Sequence, residues 1–403
     1  MGSTVAWLDT SAEEQRRARD LIALFSQQES RDELGIGQIR DALSDLLFPG
    51  TSVLQTRARY FLIVPWAFQR AARIGSGRDL AGRARVIERQ VVEVLTRTGD
   101  EGVIGRRAGA AVKNLPSQVF WSGLRRYGIL TTNAGPEQLT GAVLRTQPAD
   151  AADELVERSV GEWHPTLPPP PAGFPSELAD GLTMTEPEAQ WLRDRIVETS
   201  RGTLLEHLVL EERPPGAGSA PWEVRVVNRA PEKVLHVVEL AHGFSLMMNG
   251  AALLYNYLVA KRYVDAGFTR VDDPVHGYRD AYEEWLAKIR GQVSLLASWQ
   301  AGDLWELADG ATGAVTVRTR EFVEDWTRAV RDGSVDAALT DPGGRLRHLV
   351  ASRERSIKKG QSRLTNTKLL GGWSGASGTG ELVFRWPQVR RIVTDIHDGL
   401  SRA

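Results

Sequence analysis

The sequence predicts a mainly helical protein of two domains, and three observations carry that prediction. Apolar residues recur at helical spacing through most of the chain, proline and glycine punctuate those runs, and one proline-rich stretch divides the whole. Length agrees, because 403 residues exceed what a single core ordinarily organises. A composition of 42% apolar and 25% charged residues is that of a folded chain.

Taken in order, Ser11 and Glu14 form a capping box ahead of the stripe Ala18, Leu21, Ile22 and Phe25. In Leu34–Trp66 two helical patterns flank Pro49-Gly50; Thr51 or Ser52 is placed to cap the second and Pro65 to kink it. A third helix fits Leu80–Thr96, with Ile87, Val91, Val94 and Leu95 on one face. Leu115-Pro116 opens a short helix that Gly128 ends, and Glu137–Glu157 continues as loop and helix. The run WHPTLPPPPAG, Trp163–Gly173, favours extended polyproline II and cannot join a helix.

The expected organisation is therefore an N-terminal helical domain over 1–162, a linker over 163–176, and a C-terminal helical domain over 177–403 with minor β content. In the last, Thr185–Glu188 is a second capping box, leading a helix through Ile196. Trp222–Asn228 and Glu381–Trp386 are the expected strands. Leu235–Ala260 is apolar enough to suggest a membrane span, yet Glu239, His242, Asn249 and Asn256 make it a core helix. Further helices fit Tyr278–Ala297, Arg320–Arg331, Leu346–Lys358 and Val389–Leu400.

Much chemistry is excluded. With no cysteine there is no thiol catalysis, Cys-ligated zinc, iron–sulfur cluster or disulfide. No GxxxxGK[ST], HExxH, GxSxG or HxKxxxxD pattern occurs, so neither cofactor nor metal is expected. Arg391 and His397 have the spacing of small HEPN-type ribonucleases, but four other Arg–His pairs share it, and 43 arginines make such pairs by chance. No charged-then-apolar leader opens the chain, so the expected location is the cytoplasm.

Net charge is −1, so any polyanion must meet local patches. Thr51–Arg78 carries five basic residues and no acid, Arg57 and Arg59 among them. Val103–Gly128 does the same with Arg106, Arg107, Arg125 and Arg126. There the order of elements fits a helix-turn-helix or winged-helix module, with Phe120, Trp121 and Tyr127 read either as contacts or as core. Gly344–Ser377 holds eight basic residues against Glu354, including Arg355, Lys358, Lys359, Arg363 and Lys368. It runs into GGWSGASGTG, whose amides could form an anion-binding nest. His242, Asn249 and Asn256 recur every seven residues on one helical face, as a functional cleft or a buried hydrogen-bond network.

The block LGIGQIRDALSDLLFPGTSVLQTRARY, Leu34–Tyr60, resembles an uncharacterised family of bacterial proteins of about this length. That resemblance implies an association with defence or mobile-element loci and no established activity. The expected function is a non-catalytic, nucleic-acid-associated subunit of a bacterial multi-protein system, with antiviral defence as its setting. It would bind phosphate backbone, DNA before RNA, through the basic residues named above, beside other protein subunits and away from membranes. Two alternatives stand beside it. One is an enzyme using His242 as acid or base, oriented by Glu239, near the glycine-rich loop. The other is a scaffold for an acidic protein.

Overall fold

A computed structural model describes residues 32–74, 79–106, 112, 114–141 and 161–402. The Ser11–Glu14 box, the stripe behind it and residues 142–157 lie outside these. The protein is mainly helical. Its helices are α1 (Gly37–Leu47), α2 (Tyr60–Ile74), α3 (Leu80–Thr98), α4 (Pro116–Arg126) and α5 (Glu186–Thr199). Then come α6 (Leu204–Leu210), α7 (Glu232–Asp265), α8 (Pro274–Arg290), α9 (Val293–Ser298) and α10 (Ala301–Thr312). Last are α11 (Val317–Arg331), α12 (Arg345–Lys358), α13 (Thr367–Gly371) and α14 (Trp386–Leu400). They fall into two compact units, residues 1–42 with Leu240–Leu382, and Leu43–Glu239 with Val383–Ala403.

In the second unit α2 is buried from Tyr60 through Phe68, as a helix apolar on all sides must be. α3 and α4 pack on it, with Phe120 edge-on to Phe61 at 4.9 Å and Tyr127 tilted on Phe61 at 5.1 Å. Phe120, Trp121 and Tyr127 are thus core residues. Pro116 starts α4, and Glu88 of α3 accepts from Ser117 N at 2.6 Å and Ser117 Oγ at 2.8 Å. Residues 99–115 separate α3 from α4, in place of the roughly three- or four-residue turn of a helix-turn-helix. No wing is present among the described residues.

α2 begins at Tyr60, not at Ser52 as its pattern suggested. Thr51 Oγ1 donates back to Phe48 O at 2.7 Å, while Asp395 on α14 accepts from Ala58 N at 2.9 Å. A distant carboxylate thus serves the free amide near the helix start. The expected capping box at Thr185 is present: Glu188 Oε2 accepts from Thr185 N at 3.0 Å. The proline-rich segment packs inside this unit, where Trp66 Nε1 donates to Pro168 O at 2.7 Å.

The expected strands are not found, and among the described residues the sole extended pairing is an isolated bridge, Leu130 with Trp163. Trp222–Asn228 instead enters two 3₁₀ turns, Pro221–Glu223 and Val227–Arg229, closed by local bonds such as Val227 N to Val224 O at 3.0 Å. Before α14 the backbone turns left-handed at Phe384 and Arg385 (φ 49° and 65°), which no strand tolerates.

The first unit is built on α7. By length and composition α7 could cross a membrane, but 72% of its most apolar window is buried in the fold. Tryptophans from three other segments reach its carbonyls: Trp299 Nε1 donates to Leu240 O (3.0 Å), Trp285 to Leu246 O (2.8 Å) and Trp326 to Met247 O (2.8 Å). Two glycines make room, since a Cβ would sit 2.4 Å from Trp299 Cδ1 at Gly243 and 2.1 Å from Trp285 Cζ2 at Gly250. The helix expected over Tyr278–Ala297 is interrupted between Arg290 and Val293.

Candidate anion-binding groove

Helix α12 decides the site, because its two faces have different work. Its inward face carries Leu346, Arg347, Val350, Arg353 and Glu354. Arg347 Nε donates to Ala338 O at 2.7 Å, and its guanidinium lies over Tyr257 of α7 at 5.4 Å. Arg353 donates to Leu34 O (2.7 Å), Gly35 O (3.0 Å) and Thr319 Oγ1 (2.9 Å), above the Phe322 ring at 5.3 Å. Burial lowers the Arg353 guanidinium from its ordinary pKa, and the nearby Asp32 opposes that shift. Glu354 accepts from Arg363 N at 2.8 Å and from the Ser362 hydroxyl; burial raises its carboxyl above the usual range. Glu33 receives both the Arg363 guanidinium and, at 3.4 Å, Lys358 Nζ.

The outward face is different. Arg345, His348 and Arg355 are exposed and recur at helical spacing, three and then seven residues apart, and Lys359, just past the helix end, is exposed as well. Alongside α12 a groove of about 450 Å³ opens against the end of α7, where it meets Lys261, Arg262 and Asp265. Arg347, His348 and Arg355 line its α12 side, Gly343 and Gly344 its head, and Leu258, Pro342, Ala351 and Leu364 are its apolar members. Among the described residues, Arg355 bonds its own helix, to Ala351 O (3.2 Å) and Ser352 Oγ (3.3 Å). Among the described residues no carboxylate forms an ion pair with Lys261, Arg262 or Arg355. Arg345 reaches Asp325 at 3.4 Å with 74% of its side chain exposed. Lys261 and Arg262 sit in the last turns of α7, where the helix dipole favours cations.

The structure sorts the residues nominated from sequence. Arg57 and Arg59 are buried and committed. Arg57 Nε meets Asp395 at 2.8 Å with Nη1 on Glu101 O at 3.0 Å; Arg59 meets Glu188 at 2.9 Å and Gly181 O at 2.7 Å. Neither guanidinium faces a ligand, which corrects their assignment to phosphate binding. Burial raises Asp395 above the ordinary aspartate range even though Arg57 pulls it down. Arg106, Arg125 and Arg126 are exposed on the second unit, and Arg107 lies outside the described residues. In the first unit Arg355, Lys359 and Lys368 are exposed, whereas Lys358 and Arg363 converge on Glu33 and hold the chain near residue 33. Sequence reasoning missed Lys261, Arg262 and His348, and counted Arg345 in the Gly344–Ser377 stretch without singling it out. The helical period of α12 was signal enough for Arg345 and His348.

The polar stripe of α7 is a hydrogen-bond network. Asn256 Nδ2 donates to Ser377 O (2.7 Å), its Oδ1 accepts from Ser377 N (2.9 Å), and Asn249 Nδ2 donates to Thr379 O (2.9 Å). These bonds pin the glycine-rich loop, and Arg270 Nη2 adds one to Trp373 O at 2.8 Å. With the Ser377 amide so engaged, and Trp373 packed on Tyr263 at 5.4 Å, the loop is anchored to the core at these two residues. Among the described residues no cluster of His, Asp or Glu could hold a metal ion.

A family model described as a family of unknown function, DUF6361, matches residues 2–399. No curated protein and no solved structure matches.

Proposed function

We propose that this chain, which belongs to a family of unknown function (DUF6361), is a non-catalytic, nucleic-acid-associated subunit that holds phosphate backbone in the groove between α7 and α12. One observation carries this reading: Lys261, Arg262 and Arg355 converge on one groove with no carboxylate paired to them among the described residues. Cations on rigid helices with no carboxylate paired to them are what a phosphate backbone requires, since affinity comes from releasing its counterions. Asp265 is the one acid on the groove lining and tempers the field at one end. DNA is the expected ligand over RNA, in a bacterial multi-protein system of antiviral defence whose other subunits supply motor and cleavage.

The test is fluorescence anisotropy of labelled DNA and RNA with wild-type protein and with K261A/R262A/R355A. Three lost phosphate contacts weaken binding on the order of a hundredfold near 0.1 M salt. Equal affinity in a folded triple variant removes the groove from the account. Substituting Lys358 and Arg363 would not serve, because both hold Glu33.

A further inference from the structure

We infer that the ligand of this groove is duplex nucleic acid held through its phosphates alone, with no base stacked or distinguished; this rests on the reading above. Proteins that hold single strands supply aromatic faces on which successive bases stack. The groove lining contains no Phe, Tyr or Trp. Among the described residues, in fact, every exposed large hydrophobic side chain is Val, Leu or Ile. A single strand would therefore find charge here and no stacking platform.

The cations are also set at fixed intervals. From Arg345 to Arg355 the outward stripe of α12 extends about 15 Å, at 1.5 Å per residue. That length covers roughly four base steps of a duplex at 3.4 Å each. The stripe cannot adapt easily, because Arg347, Arg353 and Glu354 bolt the opposite face of α12 into the core. A rigid row of charges suits the fixed phosphate lattice of a duplex and gains little from a flexible strand, whose ordering it would have to offset. Arg347, which also borders the groove, is spent on Ala338 O and Tyr257 and is not free to fork onto a base edge. What remains contacts backbone, which positions a duplex without specifying its sequence.

The experiment compares three labelled probes on the full-length protein: a 30-base-pair GC-rich duplex, an AT-rich duplex of equal length, and one separated strand. Both duplexes should bind within about threefold of each other and at least tenfold more tightly than the single strand. R345A/K359A, two exposed substitutions, should weaken the duplexes about tenfold while circular dichroism shows the fold intact. A single strand bound as tightly as the duplexes, or a preference above tenfold between them, overturns the inference and leaves the groove standing. Duplex affinity unchanged in R345A/K359A also overturns it, since a duplex lying along α12 would meet both of these cations beside the groove. Absence of binding to all three probes instead overturns the proposed function itself.

Discussion

Replacing Glu88 by Gln tests whether the buried polar chemistry of the second unit has been assigned correctly. Glu88 is fully buried, and its carboxylate accepts the Ser117 amide and hydroxyl at the start of α4. Burial raises its pKa from 4.5 to about 7, against the lowering effects of the Ser117 bonds and of Arg85 and Arg89. The folded state therefore holds the proton more tightly than the unfolded chain does. Below pH 4.5 both states are protonated and the contribution is intact; it is lost as pH rises to 7, where the ionised group must be carried in the core. The span corresponds to about 3 kcal/mol. Gln keeps an oxygen for the Ser117 amide and cannot ionise. Urea unfolding of both proteins at intervals from pH 4.5 to 8 should show the E88Q advantage growing by about that amount. A constant difference across that range would mean Glu88 does not titrate there, and the reasoning would be wrong.

Three other outcomes follow from the same geometry. Asp395→Ala strands the Arg57 guanidinium in a buried site and should cost about 3–5 kcal/mol in chemical denaturation, whereas an exposed pair such as Arg290–Asp336 should cost about 1 kcal/mol or less. Gly250→Ala drives a methyl group into the Trp285 indole and should lower stability by about 1–3 kcal/mol, visible as a reduced Tm. Asn256→Ala removes both bonds to Ser377, so hydrogen exchange over residues 373–380 should quicken while exchange in α14 stays unchanged.

Much of the helical plan was legible because it is written locally. α3, α4, α5, α12 and α14 lie close to their expected bounds, marked by Pro116, the Thr185–Glu188 box and clear apolar stripes. The start of α2 was not legible, because what turns Arg57 and Arg59 inward are carboxylates 338 and 129 residues away in sequence. The same holds for the basic stretches, where a run of charge is visible but its partners are not. Of the basic residues on and beside α12, Arg347, Arg353, Lys358 and Arg363 turned out to be internal fasteners. Only Arg345, Arg355, Lys359 and Lys368 face out. The false strands have a physical origin too: alternating Val224 and Val226 are buried as a strand's would be, but among the described residues no neighbouring strand exists to pair with.

The salt dependence of duplex binding tests the central claim most directly. If Lys261, Arg262, Arg345, Arg355 and Lys359 each meet a phosphate, log K should fall against log salt with a slope of about −4.5, at roughly 0.9 per contact. In K261A/R262A/R355A the slope should flatten to about −2. A wild-type slope near zero, or one that the triple substitution leaves untouched, would contradict the assignment of this groove to a phosphate backbone.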